Sequence, residues 1–181
     1  MKLSKTMAVL CALCVVLVTL ASAIVTNVSA YSRTRTVTIT ITHVQGLDPM
    51  DVGSPPDFFS ECYVNGVKKS TPTINNNHDI YPNWVLSWSV TYDTTSPDKP
   101  VTISIRDRDF SDHDTADVSR RVNINPCDLV LNMETGIWTG DDRYAGDSYP
   151  GHTSGEELPD GSSGSDQDDA RLWFTLTVTG G

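Results

Sequence analysis

Period-two alternation of apolar and hydroxyl side chains is the feature that most constrains this chain. In Thr36–Ile41, Val37, Ile39 and Ile41 share one face, and Thr36, Thr38 and Thr40 share the other. In Val85–Tyr92, Leu86, Trp88, Val90 and Tyr92 alternate with Ser87, Ser89 and Thr91. Val101, Ile103 and Ile105 alternate with Thr102, Ser104 and Arg106. Near the end, Leu172, Phe174, Leu176 and Val178 alternate with Trp173, Thr175, Thr177 and Thr179. Successive side chains of a strand point to opposite faces, so each segment has one face suited to a core and one suited to water. Weaker strands are predicted at Phe58–Val64, Lys68–Ile74 and Val118–Ile124, the last interrupted by Arg120, with a short one at Ile137–Thr139. No window carries the period of an amphipathic helix. Half-buried strands with long polar connections predict an all-β fold, an eight-stranded antiparallel β-sandwich.

The N-terminus has a different character. Lys2 and Lys5 precede an apolar run from Met7 to Leu20, followed by small-residue exits at Ala21-Ser22-Ala23 and Val28-Ser29-Ala30. This is the pattern of a secretory signal peptide. Residues 1–30 are read as that signal, with cleavage after Ala23 or Ala30 and the sandwich spanning 31–181. The competing reading is an uncleaved anchor, because Met7–Val25 is nearly long enough to span a bilayer. No positive charge follows the run directly, and cleavage is favoured. The expected location is therefore secreted, extracellular. Cys11 and Cys14 fall within the signal, which leaves Cys62 and Cys127. Two cysteines in an exported protein are expected to pair as a disulfide.

Acidic residues carry the chemical signal. Of 23 acids, 19 are Asp, and the net charge of −10 falls to −12 once Lys2 and Lys5 are removed. No basic patch remains for phosphates, so nucleic acid is excluded as a partner. Asp favours turns and oxygen-ligand metal loops over helices. The core strand ending at Ile105 runs into Asp107, Asp109, Asp112, Asp114 and Asp117. Asp107 and Asp109 share the parity of Ile105, so both aim at one concavity. A second acidic loop, with Asp48, Asp51 and Asp57, follows the first strand. Crowded carboxylates repel one another unless a cation sits among them. Calcium takes six to eight oxygens from flexible loops, whereas zinc wants His or Cys. The expected cofactor is Ca2+. From about 140 to 170 the chain is a Gly/Ser/Asp-rich insertion, too polar to pack and either mobile or held by ions.

These elements resemble a C2 domain, the calcium-dependent lipid-binding module of protein kinase C and synaptotagmin. The resemblance is carried by Gly46-Leu47 with Asp51 and Asp57, Pro82-Asn83-Trp84, Val101–Ile105 and Asp107-x-Asp109, with Leu172–Val178 as the final strand. It implies a sandwich of C2 type that holds calcium between two loops at one end. Asp51 and Asp57 would be the first-loop ligands, and Asp107 and Asp109 the paired third-loop ligands. Asp112, Asp114 and Asp117 compete for a fifth position, with Asp114 favoured. The chain departs from the pattern in three places. Asp57-Phe58-Phe59 stands for the usual Asp-Pro-Tyr, the Gly expected near Ser119 is absent, and the 140–170 insertion is extra.

Three functions follow as expectations. The first is a secreted calcium-binding module that binds an anionic phospholipid surface, with Phe110 at the loop crest inserting into the interface. The second is a calcium-stabilised structural or adhesion sandwich with a cell-surface glycan or protein partner. The third is a glycan-acting enzyme or carbohydrate-binding domain. No nucleophile motif such as G-x-S-x-G is present, and carboxylates this crowded suit a general acid poorly, so the chain is not expected to be an enzyme.

Overall fold

The structure is a computed structural model that describes residues 30–47, 54–109, 113–119, 124–141, 151–154 and 169–180. The compact unit begins at Tyr31. Its described residues form eleven strands and no helix. They are β1 (Ser32–Gly46), β2 (Phe58–Val64), β3 (Val67–Ser70), β4 (Asp79–Ile80), β5 (Trp84–Asp93) and β6 (Asp98–Asp107). They continue with β7 (Thr115–Ala116), β8 (Cys127–Asn132), β9 (Trp138–Gly140), β10 (Gly151–Ser154) and β11 (Ala170–Thr179).

Two antiparallel sheets result. In the first, β11 runs along one edge of β1, and β5 then β4 run along the other. β10 extends this sheet beyond β11. The second has the order β3-β2-β6-β8-β9, and β7 pairs with the end of β6 that β8 leaves uncovered. The alternating segments take the central places. Val37, Ile39 and Ile41, Val101, Ile103 and Ile105, and Leu172, Phe174 and Leu176 are each at most 1% exposed. Burying each such side chain stabilises by roughly 1.5–3 kcal/mol.

Local chemistry sets the ends. Arg33 and Arg35 keep the core-facing parity of β1 beyond the point where the core stops. Arg35 donates to the carbonyls of Met133 and Glu134 at 2.7 and 3.0 Å. Arg33 pairs with the Glu134 carboxylate at 2.9 Å, and the Tyr92 hydroxyl donates to the same carboxylate. These contacts close one end of the sandwich. β2 and β3 are joined by Asn65-Gly66, with φ of 50° and 78°, the two-residue turn that positive φ at both positions permits.

Several expectations change. β8 is absent from the strands expected above, because Asp128 and Asn132 look like loop residues, yet Leu129 and Leu131 between them are buried. The strand expected at 118–124 is not formed over the described part: Val118 and Ser119 are buried but lie outside any strand. The insertion supplies β10, which needs only backbone pairing to add to the sheet edge. The expected disulfide is not formed, and Cys62 and Cys127 are both fully buried thiols. The reason is topological. Both pair with Ile103, Cys62 from β2 and Cys127 from β8. With β6 between them the two stand two ladder steps apart, roughly 9–10 Å, beyond the reach of about 7 Å between disulfide Cα atoms. Burial pushes the Cys62 thiol up to about 12, against the opposing effect of the Ser60 hydroxyl 3.2 Å away.

Candidate metal centre

The antiparallel pairing of β2 and β6 sets Phe58 opposite Asp107. The loop that precedes β2 and the loop that follows β6 therefore share one end of the sandwich. Asp107 keeps the inward parity of Ile103 and Ile105 at the last position of its strand, and it is 1% exposed. Its Oδ1 accepts a hydrogen bond from the backbone N–H of Asp57 at 2.5 Å, across 50 residues of sequence. The Arg108 N–H donates to the Asp57 carbonyl at 3.1 Å.

A further segment is laced onto this junction. The Asn76 N–H donates to Asp57 Oδ1 at 2.7 Å. The Ile74 N–H donates to the Phe58 carbonyl, and the Asn77 N–H to the Pro56 carbonyl. On the other side, the Asp107 N–H donates to the Asp114 carbonyl at 3.0 Å, which continues the β6–β7 ladder and sets Asp114 across from Asp107. Arg106 holds the same loop by donating to the His113 carbonyl at 2.8 Å.

The proposed ligands thus divide. Asp57, Asp107 and Asp114 meet through the backbone at one end, and Asp109, two residues beyond Asp107, is partly buried. Asp114 is exposed. Asp51, Asp112 and Phe110 lie outside the described residues. Asp117 is 3% exposed, and its Oδ1 accepts from the Ser119 N–H at 2.8 Å while its carbonyl accepts from Ala170. Those contacts make it a cap for its own turn. Among the described residues, no group of three His, Cys, Asp or Glu side chains converges. The donors that do adjoin are carboxylate and carbonyl oxygens, the chemistry a hard cation such as calcium takes. His113 meets the Phe59 ring edge-on at 5.5 Å.

One structural carboxylate escapes the sequence reading. Asp141 has the sequence context of a solvated turn, yet it is 4% exposed. Its Oδ2 accepts from the Asp128 N–H at 3.0 Å and from the Ser119 hydroxyl at 3.3 Å. The preceding Gly140 has φ of 132°, and a Cβ there would lie 2.3 Å from the Asp128 carbonyl oxygen. The available signal was this glycine directly before an Asp at the end of a short strand.

A family model described as the C2 domain matches residues 35–139, more than half of the chain. Among solved structures, the calcium-bound tandem C2 domains of Extended-Synaptotagmin 2 are similar, with a TM-score of 0.51 and 13% identity. That likeness covers 80% of this chain and 45% of the other. A structure described only as a C2 domain has a TM-score of 0.48 and 11% identity, covering 79% of this chain and 98% of the other. Human GIVD cytosolic phospholipase A2 is similar at a TM-score of 0.48 and 12% identity over 83% of this chain, which spans only 18% of that enzyme. At these identities the likeness speaks to fold alone. No curated protein matches the chain significantly.

Proposed function

The chain belongs to the C2 domain family, and from that membership we propose that it is an exported module that docks on anionic phospholipid in a calcium-dependent way. The observation that carries this reading is the junction of Asp57 with Asp107, which fastens the two acidic loops to each other. Calcium would be held by Asp51, Asp57, Asp107 and Asp109, with Asp114 preferred to Asp112 as the fifth carboxylate because it lies across from Asp107. Asp117 ranks behind Asp114 in the set, because its Oδ1 already accepts from the Ser119 N–H. Bound calcium supplies positive charge at an acidic rim, so that lipid phosphate becomes a ligand there instead of being repelled. Phe110 is assigned to the interface, and export follows from the signal pattern of residues 1–30. No catalytic role is assigned.

The test is calorimetric calcium titration followed by co-sedimentation with phosphatidylserine/phosphatidylcholine vesicles, with and without chelator. Pelleting only in calcium is expected. An ion at 100 times its Kd that binds only the folded form adds about 2.7 kcal/mol of stability. Calcium that stabilises the fold while the vesicles fail to pellet it would favour the adhesion sandwich instead. An unchanged melt in millimolar calcium would refute both.

A further inference from the structure

Along the side of β1 away from β11, β4 and β5 share the edge of the first sheet, and their two stretches differ. At β4 the neighbouring groups engage one another. The pairing of β1 with β11 shifts register between Ile41 and His43, which turns His43 outward while Val44 returns to the core. The His43 ring lies between Tyr81 and Trp173, 4.1 Å from each, and its Nε2 is 2.5 Å from Asp79 Oδ1.

At β5 the edge is open. The Thr38 and Ser87 hydroxyls are 2.9 Å apart, and those of Thr34 and Thr91 are 2.8 Å apart. Side chains directly opposite meet this closely at the non-hydrogen-bonded pairs of an antiparallel ladder, whose backbone N–H and C=O groups point away from each other. Ser87, Ser89 and Thr91 therefore present their backbone groups at the outer edge, which no strand among the described residues covers. Lys69 reaches the same edge from outside the sheet, by donating to the Ser87 carbonyl.

Lys69 pairs with Cys62 and so has core-facing parity, but β3 is the edge of the second sheet. Its stem crosses the gap between the sheets, with the ammonium 5.5 Å from the Trp88 ring centroid. Trp88 Nε1 closes the same gap by donating to the Val67 carbonyl at 2.8 Å. Next to Ser89 and Thr91 the gap widens into a cleft of about 190 Å³, lined also by Val64, Val67 and Val90. Val67 is 57% exposed. A cavity of about 150 Å³ takes a benzene ring, so this cleft has room for one aliphatic side chain.

We propose that the β5 edge binds the C-terminal strand of another polypeptide, antiparallel to β5, with its main chain on Ser89 and Thr91. One apolar side chain fills the cleft and the terminal carboxylate meets Lys69. Backbone pairing at a sheet edge supplies affinity in such a mode, and a side-chain pocket supplies specificity. Lys69 fixes both the end and the direction. It stands across the edge at Ser87, so a strand coming from Thr91 stops there instead of running on toward Val85. An ammonium has three donors, and the Ser87 carbonyl takes one, which leaves two for a carboxylate. A second copy of this chain fits less well. Two β5 edges paired about Ser89 would each run into the other's lysine, and each chain carries a net charge of −10.

The test is fluorescence polarisation with the full protein in chelator, which keeps the calcium reading out of the outcome. The probes are fluorescein-labelled hexapeptides ending in Thr-Val-Thr-Val, Thr-Leu-Thr-Leu or Thr-Phe-Thr-Phe, each as the free acid and as the C-terminal amide. At least one free acid should bind, and its amide should bind at least about tenfold more weakly, the loss expected for a hydrogen bond to a charged group. Lys69→Met keeps most of the stem over Trp88 and should show the same loss. Ser89→Pro removes an edge N–H that the β1 ladder does not use, a place where a strand tolerates proline, so it should abolish binding. If that variant does not fold, the comparison of acid with amide on the wild type still decides. The proposal is overturned if no free acid binds, if acid and amide bind alike, or if Lys69→Met binds as the wild type does. A wild-type dimer in sedimentation velocity that Ser89→Pro dissociates would assign the edge to a second copy and overturn it as well.

Discussion

Asp107 has two opposing roles in the calcium-free protein, and paired substitutions separate them. Its carboxylate accepts the Asp57 N–H, which holds the loops together. It also places a charge among other carboxylates, which pushes them apart. Asp107→Asn removes the charge and keeps an oxygen acceptor. Asp107→Ala removes both. The charge effect cancels in the difference between the variants, which leaves the hydrogen bond together with the packing of the buried side chain. A buried donor left without an acceptor costs about 1–3 kcal/mol. For a unit of this size each kcal/mol moves the melting temperature by about 2–4 °C. Measured in chelator by differential scanning calorimetry, the Asn variant should melt about 2–12 °C above the Ala variant, and at or above the wild type. Both should lose the rise in melting temperature on adding calcium. Ala and Asn variants that melt together would refute the idea that Asp107 fastens the loops. A full calcium response in the Asn variant would remove Asp107 from the ligands.

Four further outcomes are expected. Leu131→Ala, at a fully buried position of β8, should cost roughly 2–5 kcal/mol by denaturant unfolding, and a loss well under about 1 kcal/mol would mean that β8 is not a core strand. The Cys62 and Cys127 thiols should react with a thiol reagent only after unfolding, and a non-reduced mass two hydrogens short for the peptides that carry them would restore the disulfide. Because burial raises the Cys62 thiol from 9.0 to about 12, its contribution to stability runs opposite to that of a depressed carboxyl: it is gained as pH rises past 9.0, where the unfolded chain binds fewer protons, only if the folded state bound fewer still. It binds more, so stability is full below pH 9.0 and is lost as pH rises toward 12, and Cys62→Ala should flatten the alkaline limb of the melting profile. Burial opposes ionisation of Glu61, but hydrogen bonds from Lys68 and Arg106 outweigh it and hold the carboxyl below its usual range. That stability is present above about pH 4.5 and lost as pH falls through the folded value, so Glu61→Gln should lower the melting temperature at pH 7 and weaken the acid limb.

The sheets were legible in the sequence to the extent that their faces differ in polarity. β1, β5, β6 and β11 each put an unbroken apolar row into the core, and alternation reveals such a row without any knowledge of its partner. β8 does the same with Leu129 and Leu131, but Asp128 and Asn132 carry turn chemistry that masks so short a row. Long-range placement was less accessible. Nothing in the interval between Cys62 and Cys127 indicates that β6 runs between them. Nothing local to Asp117 distinguishes it from Asp114 either. One residue continues the ladder across from Asp107, and the other turns back to Ser119 and Ala170, and that choice is made by pairings with distant strands. The aromatic stack was hidden for a related reason. A single shift of register between Ile41 and His43 reverses the expected side of every later residue in the strand.

That register shift also bears on how the ring stack and the acidic junction relate. β1 carries His43 on the outer face and, three residues on, Gly46, whose N–H is held by the His78 carbonyl. The first acidic loop leaves the sheet directly afterwards. One stretch of β1 thus supports both the ring stack and the root of the loop, and the 74–80 segment braces both, through Asn76 to Asp57 and through Asp79 to His43. The shared support is backbone pairing within a packed sheet, which does not deform continuously. The ring stack and the acidic junction should therefore be fixed relative to each other, with no coupling carried by side chains between them. Calcium affinity of Tyr81→Ala should match that of the wild type within error. A severalfold change would show that the 74–80 segment shifts on binding and couples the two ends of its brace.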